Sequence, residues 1–591
     1  MAVVKERRAS MAERKPSFIG KESPMIIPHL AGMEDPLPEK TPEEVDVVIV
    51  GTGLIQSILA AALSWQGSHV LHIDKNEYYG DTTPTLTIEQ LTQWVRNVNK
   101  GLIPFYTNAQ IYVSSDKIGK NYASRDFGID LVPKVLFAQS DMLTLLVKSR
   151  VYQYMEFMPL SNFHTFENDS FEKLTNTKQE IFTDQTIPLM TKRNLMRFLK
   201  FVLNWENYPE IWEGYSNKSM AEFLSEKFKL NQTQSSELIF SIGLCYNNDV
   251  ATPQCLQRIR RYLASFDIYG AFPVLFSKYG SAGEISQGFC RSAAVGGATY
   301  KLNTALESYD PTTKIVKFSD GSKVHVSERV VVSPTQTPDP KSKNIPKQNY
   351  KIHRLVVAIE KDCKQWFGEQ ESATVVVFPP GSLNGENFEA VQAIIFGSNS
   401  EICPQGTNLW YLTSVEKGEN GKRLLDLALK TMLKSISRES IEVDDNVVKF
   451  DNKTGSPVIN EKYLKEELNE LVEPKILMKC YFEQYTSTCP FSIAQPEIFK
   501  TQKKDTTDDT TNGNKDNGVI YSPMPSSEIS YDGAITAAKV LYETIVGSDD
   551  DFFDVDFEDE DITTTNNNRM SYSESAITDD EGEEDDIIMK N

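Results

Sequence analysis

Two glycines at a strand-to-helix junction are the residues of this sequence best placed for chemistry. Gly51-Thr52-Gly53 follows the apolar run Asp46-Val47-Val48-Ile49-Val50 and precedes a small-residue stretch containing Ala60-Ala61-Ala62. Glycines at such a turn let the backbone approach a pyrophosphate, which the helix N-terminus then attracts. Asp74 stands 21 residues beyond Gly53, at the end of a second apolar run, His69-Val70-Leu71-His72-Ile73. A ribose-binding carboxylate belongs there. Two departures spoil the pattern. The third fingerprint position holds Gln56, where a glycine normally lets helix and strand pack closely. The chain then reads Lys75-Asn76-Glu77-Tyr78-Tyr79-Gly80-Asp81, where flavin oxidoreductases of this general kind carry an arginine and paired glycines. The pattern therefore favours a dinucleotide-binding scaffold that has lost its ligand, with Asp74 a structural carboxylate and no cofactor expected. A flavin-dependent oxidoreductase is the alternative.

Other catalytic constellations are thin. The six histidines, His29, His69, His72, His164, His325 and His353, form no H-E-x-x-H or metal-spaced cluster. His69 and His72 fall on a buried-type strand and are expected to be packed. There is no G-x-S-x-G elbow or Walker A loop, and Val295-Gly296-Gly297 lacks the Lys-Ser/Thr of a phosphate loop. The seven cysteines are scattered without a C-x-x-C pair, which fits a reducing compartment and argues against a zinc site. No catalytic residue and no metal ligand is expected.

The elements that must position these residues imply an α/β fold. Residues 140–157 and 192–203 have helical apolar spacing, whereas residues 353–360 and 373–378 read as strands. Lys314 to Phe318 alternates, then Asp320-Gly321 leads into Val324 to Val332, a hairpin pattern. Strands at both ends with helices between them predict an α/β domain interrupted by a helical one. Proline-rich, charged residues 1–40 and the acidic C-terminus read as disordered. Of the formal net charge of −22, the segment Asp549 to Asn591 carries −15, from 17 acidic and two basic residues. The body is thus nearly balanced, and no basic stripe points to nucleic acid. No apolar run reaches the ~18 residues of a membrane span. Met1 to Pro16 lacks the apolar core of a signal peptide, and Glu6 and Glu13 argue against an organellar presequence.

Several blocks jointly resemble the Rab GDP-dissociation inhibitor and Rab escort protein family. The first is Asp46 to Gly80, with its Gly-Thr-Gly-Leu turn and Tyr78-Tyr79-Gly80. Arg125-Asp126-Phe127-Gly128-Ile129-Asp130-Leu131-Val132-Pro133-Lys134 resembles the second, and Lys192 to Val202 the third. Tyr279 to Arg291, followed by Gly296 to Asn303, resembles the fourth, and Ile529-Ser530-Tyr531-Asp532 the end of the folded body. The resemblance implies a Rossmann-like FAD/NAD(P)-binding-type domain with β-sheets, interrupted by a smaller all-helical domain. The expected organisation is a disordered extension (1–40) and a discontinuous Rab-binding domain (41–139 and 273–547, with insertions near 96–124 and 501–518). A helical prenyl-binding domain (140–272) and an acidic disordered tail (548–591) complete it.

The resemblance further implies that Tyr79, Glu284 and Arg291 face the switch regions of a GDP-bound Rab GTPase, with Thr299 beside them. Their chemistry suits that role: Glu284 and Arg291 can make charge-assisted hydrogen bonds, and tyrosine is a common hot-spot residue. The alternative is an internal Glu284–Arg291 salt bridge. Lys301 stands where an apolar platform residue is expected, and one residue is inserted between Tyr279 and Glu284. By the same resemblance, Met142, Leu145 and Leu146 from one helical face and Met196 and Phe198 from another are expected to shelter a geranylgeranyl group; each could equally be plain core. Length and insertions favour the longer escort branch, which works with the Rab geranylgeranyltransferase alpha/beta heterodimer, over the compact recycling inhibitors. A cytoplasmic protein with a peripheral membrane fraction and transient membrane contact is implied.

Overall fold

An apolar strand flanked by parallel neighbours stays buried only if helices or further strands cover both its faces. The computed structural model describes residues 41–167, 169–174, 187–363, 366–367, 371–442, 448–450, 457–459, 474–490 and 518–555. In it the strand Glu44–Val50 runs through the middle of a seven-stranded sheet, and Val47 to Val50 are wholly buried. Val70–Ile73 and Lys323–Val332 lie parallel to it on either side. Thr299–Lys301 extends the sheet beyond Val70–Ile73, and Val519–Tyr521 pairs with the end of Lys323–Val332. The hairpin read from Asp320-Gly321 is present: Ile315–Phe318 pairs antiparallel with Lys323–Val332, and Gly321 takes a φ of +83°.

The helix Leu54–Trp65 is buried along its whole length up to Ser64. Its alanines admit two neighbours, Ala282–Val295 and Asp532–Val546, which pack directly on it. This α/β unit is the Rossmann-like half of the fold.

An eight-stranded, mostly antiparallel sheet forms the second half. Tyr350–Glu360 and Ala373–Phe378, both read from sequence, are in its interior. Side chains alternate across it as the two-residue strand period requires. Leu355, Val357 and Ile359 pack with Leu424, Leu425 and Leu429 of the helix Asn420–Glu442, whereas Val356 and Ala358 face the opposite cluster. That cluster also contains Phe198, Phe201, Phe223 and Leu256 from the helices Leu189–Leu203, Met220–Phe228 and Thr252–Ala264. The helical layer therefore shares its core with the sheet.

Three boundaries differ from expectation. The 140–272 segment begins with one helix, Asp141–Lys148, then contributes the strands Phe157–Leu160, Phe163–Glu167 and Ser170–Lys173; its helical layer starts at Leu189. Phe163 and Phe166 fill opposite clusters, which suits a strand between two cores rather than a helix face. The segment near 96–124, expected as an insertion, contributes an edge strand, Tyr106–Val113, to the large sheet. The tail begins later than 548: Phe552 and Phe553 are buried against Tyr542 and Phe289, since two phenylalanines outweigh the neighbouring acids. The expected disordered extension 1–40, nearly all of the 501–518 insertion and the tail beyond Val555 lie outside the described residues. Among the described residues no helix is long and apolar enough to cross a membrane.

Candidate functional site

The glycine turn is built as the sequence demands but is plugged by its own protein. Gly51 has a φ of +99°, a left-handed conformation that favours glycine. A Cβ added to Gly51 would meet Ser333 Cβ at 2.7 Å and the Asp81 carboxylate at 3.0 Å. Above Gly53 stand the Gln56 Oε1, 2.8 Å from an added Cβ, and the Thr82 hydroxyl at 3.1 Å. Gln56 Nε2 donates to Ser522 Oγ at 2.6 Å, which fixes the amide over the turn. At the helix start the Leu54 amide, which would face a phosphate, donates to Thr83 Oγ1 at 3.2 Å.

Asp74 is fully committed as well. Its carboxylate accepts from Thr52 N at 2.8 Å, Thr52 Oγ1 at 2.7 Å, Asn76 N at 2.8 Å and Gln336 Nε2 at 2.7 Å. Asp81 accepts from Ser333, Thr335 and Gln336. Burial, with the Asp81 carboxylate next in order, pushes Asp74 up to about 6. The residues present do not fit a dinucleotide, because the space over both glycines and the lone pairs of the acidic residue are already used. The sequence reading of Asp74 as a structural carboxylate agrees with this geometry.

His72 is packed, as expected. Its Nε2 donates to the Gly51 carbonyl at 2.7 Å, and its Nδ1 lies 3.1 Å from the Tyr300 hydroxyl; burial lowers it to about 4. His69 differs: it precedes the strand Val70–Ile73 and its side chain is 83% exposed. Among the described residues no group of three metal-ligating side chains is gathered.

A second constellation lies on the helix Ala282–Val295. Its N-terminus is anchored from the second sequence block: Ser281 N donates to both Asp130 carboxylate oxygens, at 3.2 and 3.1 Å, and Thr85 Oγ1 donates to the same group at 2.7 Å. Gly283 is backed directly by Thr85, so a larger residue could not sit there. Tyr279 and Gly280, just ahead of this helix, both take a positive φ.

Glu284 and Arg291 are seven residues apart, close to two helical turns, so they share one face. Glu284 is partly buried; burial, with the Asp130 carboxylate behind it, pushes it up to about 7. Arg291 is exposed, and its guanidinium lies over the Tyr154 ring, 4.5 Å from the centroid. The two make no ion pair with each other, so the internal salt bridge weighed from the sequence is not formed. Tyr79 stands edge-on to Tyr300 with ring centroids 6.0 Å apart, and its hydroxyl is raised by burial and by Cys290, the residue beside Arg291. Thr299 opens the adjoining edge strand Thr299–Lys301 and is partly buried. The Lys301 ammonium is turned away into bonds with Thr41, at 2.7 Å, and Asp320. Glu284 and Arg291 thus share a helix face without an ion pair between them, and Tyr79 lies near Cys290 of the same helix.

The five apolar residues expected to form one shelter are divided. Met142, Leu145 and Leu146 are buried against Leu59, Phe289 and Leu541 on the Rossmann-like side. Phe198 is wholly buried, and Met196 partly buried, in the cluster shared by the helical layer and the large sheet. Helical spacing showed that each face is apolar, not that the two meet. The exposed apolar residues of the helical layer are instead Leu189, 85% exposed, and Met190, 65% exposed, at the start of Leu189–Leu203. Tyr154 falls within residues 140–157, whose helical apolar spacing marks it as core rather than as a site residue. Its distance in sequence from Arg291 hides the contact.

A protein family described as GDP dissociation inhibitor matches residues 41–465. The chain is 57% identical to Rab proteins geranylgeranyltransferase component A of Saccharomyces cerevisiae, over 99% of this chain and 98% of that protein. The protein of the same name from Candida albicans is 44% identical over 88% of this chain and 87% of its own length. Among solved structures, a Rab GDI from Plasmodium falciparum superposes with a TM-score of 0.59 at 19% identity, covering 86% of this chain and 99% of that one. That likeness carries the fold.

Proposed function

The chain belongs to the GDP dissociation inhibitor family, and on that premise we propose that it is a Rab escort protein. In this reading it binds newly made, GDP-bound Rab GTPases, presents them to the Rab geranylgeranyltransferase alpha/beta heterodimer and delivers the prenylated product to membranes. The observation that carries the reading is the near end-to-end likeness to component A of that transferase. The plugged glycine turn supports an accessory rather than a catalytic part, and the unpaired Glu284 and Arg291 on one helix face, with Tyr79 near that helix, support protein docking. Thr299 is proposed to take part beside them.

Sheltering a geranylgeranyl group falls to the helical layer. Burial gains about 0.8 kcal/mol per CH₂, so a chain of about twenty carbons gains on the order of 10 kcal/mol. Met196 and Phe198 belong to that layer, and Leu189 and Met190 offer apolar surface at its edge. Met142, Leu145 and Leu146 belong instead to the Rossmann-like cluster that also holds Ile285 and Phe289. A soluble carrier that takes a lipidated cargo to a bilayer would divide between cytoplasm and a peripheral membrane fraction.

The test adds the full chain to a GDP-bound Rab, the heterodimer and geranylgeranyl diphosphate. Stimulated prenyl transfer is expected, and its absence defeats the escort reading. Extraction of prenylated Rab from membranes without that stimulation would identify a recycling inhibitor instead. A visible-blue absorbance band in the purified protein would revive the flavin enzyme.

A further inference from the structure

The loop after Asp141–Lys148 is built to reach the Ala282–Val295 helix. Arg150 adopts a left-handed φ of +57°, which turns the chain out of the helix and into the short turn Val151–Tyr154. Val151 is wholly buried, and a Cβ on Gly288 would meet its Cγ1 at 2.9 Å. Glycine at 288 therefore lets turn and helix touch, and that contact sets where the next side chains lie. Tyr154 emerges one turn further along the helix, its ring beneath the Arg291 guanidinium and 36% of its surface still open to solvent. Arg291 has no ion pair or side-chain hydrogen bond to any described residue, so this ring is its one recorded support.

We propose that Tyr154 is a positioning residue, holding Arg291 over its ring so that the guanidinium meets a docking Rab already oriented. An exposed arginine otherwise samples many rotamers and loses that freedom on binding. The ring spends much of that loss beforehand, while the planar guanidinium keeps its edge donors free for the partner. The attraction also strengthens when docking excludes water from the pair. The hydroxyl plays no part, so phenylalanine can replace it.

The inference rests on the docking reading above, and the experiment keeps the two apart. Affinity for GDP-bound Rab is measured on the full chain as wild type, Tyr154→Ala, Tyr154→Phe, Tyr154→Leu, Arg291→Ala and the Tyr154→Ala/Arg291→Ala double variant, each with its thermal midpoint. Tyr154→Ala and Tyr154→Leu should weaken binding about three- to tenfold, the scale of a cation–π contact. Tyr154→Phe should bind within about twofold of wild type. In the Arg291→Ala background, removing the ring should cost nothing more. Leucine keeps apolar bulk without a π face, so it remains informative should the alanine variant misfold. Wild-type binding by the leucine variant, loss in the phenylalanine variant, or a full loss persisting without Arg291 would each overturn the positioning role. A wild-type chain that binds no Rab would defeat the docking reading itself.

Discussion

The glycine turn and the Ala282–Val295 face both bring charged side chains together, but they use them oppositely. At the turn each acidic group is consumed: Asp74 accepts from Thr52, Asn76 and Gln336, and Asp81 from Ser333, Thr335 and Gln336. On the helix face Glu284 and Arg291 stand on one side, without an ion pair between them, and Arg291 is exposed. A buried polar group must be paired because leaving it unpaired costs more than the bond gains. Arg291, exposed, has no such obligation, and its unused donors are available to a partner. The region whose motif advertises a ligand is therefore structural, and the docking surface we propose has no recognisable catalytic motif.

The comparison breaks most decisively at Asp74. Asp74→Ala strands several buried donors and should lower stability by about 3 kcal/mol or more, measured by denaturant unfolding. Folded, stable protein that has lost Rab binding would instead make the turn functional. Arg291→Ala should do the reverse, weakening Rab binding about ten- to a hundredfold while shifting stability by less than about 0.5 kcal/mol. Unfolding of that variant would invert the contrast. Gln56→Gly restores the missing fingerprint glycine and removes the amide plug. It should cost about 1–2 kcal/mol, from helix propensity and the lost Ser522 bond, without creating flavin absorbance. Flavin uptake would mean that Gln56 alone closes the site.

The smallest effect concerns pH. Burial pushes Glu284 up to about 7 against an ordinary 4.5, so the folded state holds a proton that the unfolded state has released between those values. Stability from this group is thus greatest in acid and falls as pH rises from about 4.5 to about 7. Asp74 and Asp130, both pushed up to about 6, act in the same direction. Glu284→Gln should remove only the Glu284 share, so the variant gains on wild type as pH rises through that window. Parallel stability–pH curves would show that the carboxyl is more open to water than its burial implies.

Much of this was legible because it is local. Asp46 to Ala62 read as strand, turn and helix, and all three formed, because an apolar run, a required positive φ at Gly51 and a run of alanines are fixed by neighbours in sequence. The Ile315–Phe318 hairpin followed from Asp320-Gly321 for the same reason.

What lay outside the sequence was pairing across distance. Apolar spacing marked Met142, Leu146 and Phe198 as inward-facing but not which core each would join, and the fold put them in separate clusters. Strand Phe163–Glu167 lay hidden in a segment read as helical, because its parallel partner, Ala373–Phe378, comes more than 200 residues later. Local sequence was enough for the scaffold and the family blocks, since periodicity and turn chemistry act over a few residues. It took the folded chain to bring Gln56 to Ser522, 466 residues away, and Tyr154 beneath Arg291. Both are contacts between side chains far apart along the chain, and such contacts exist only once the fold has brought their backbones together.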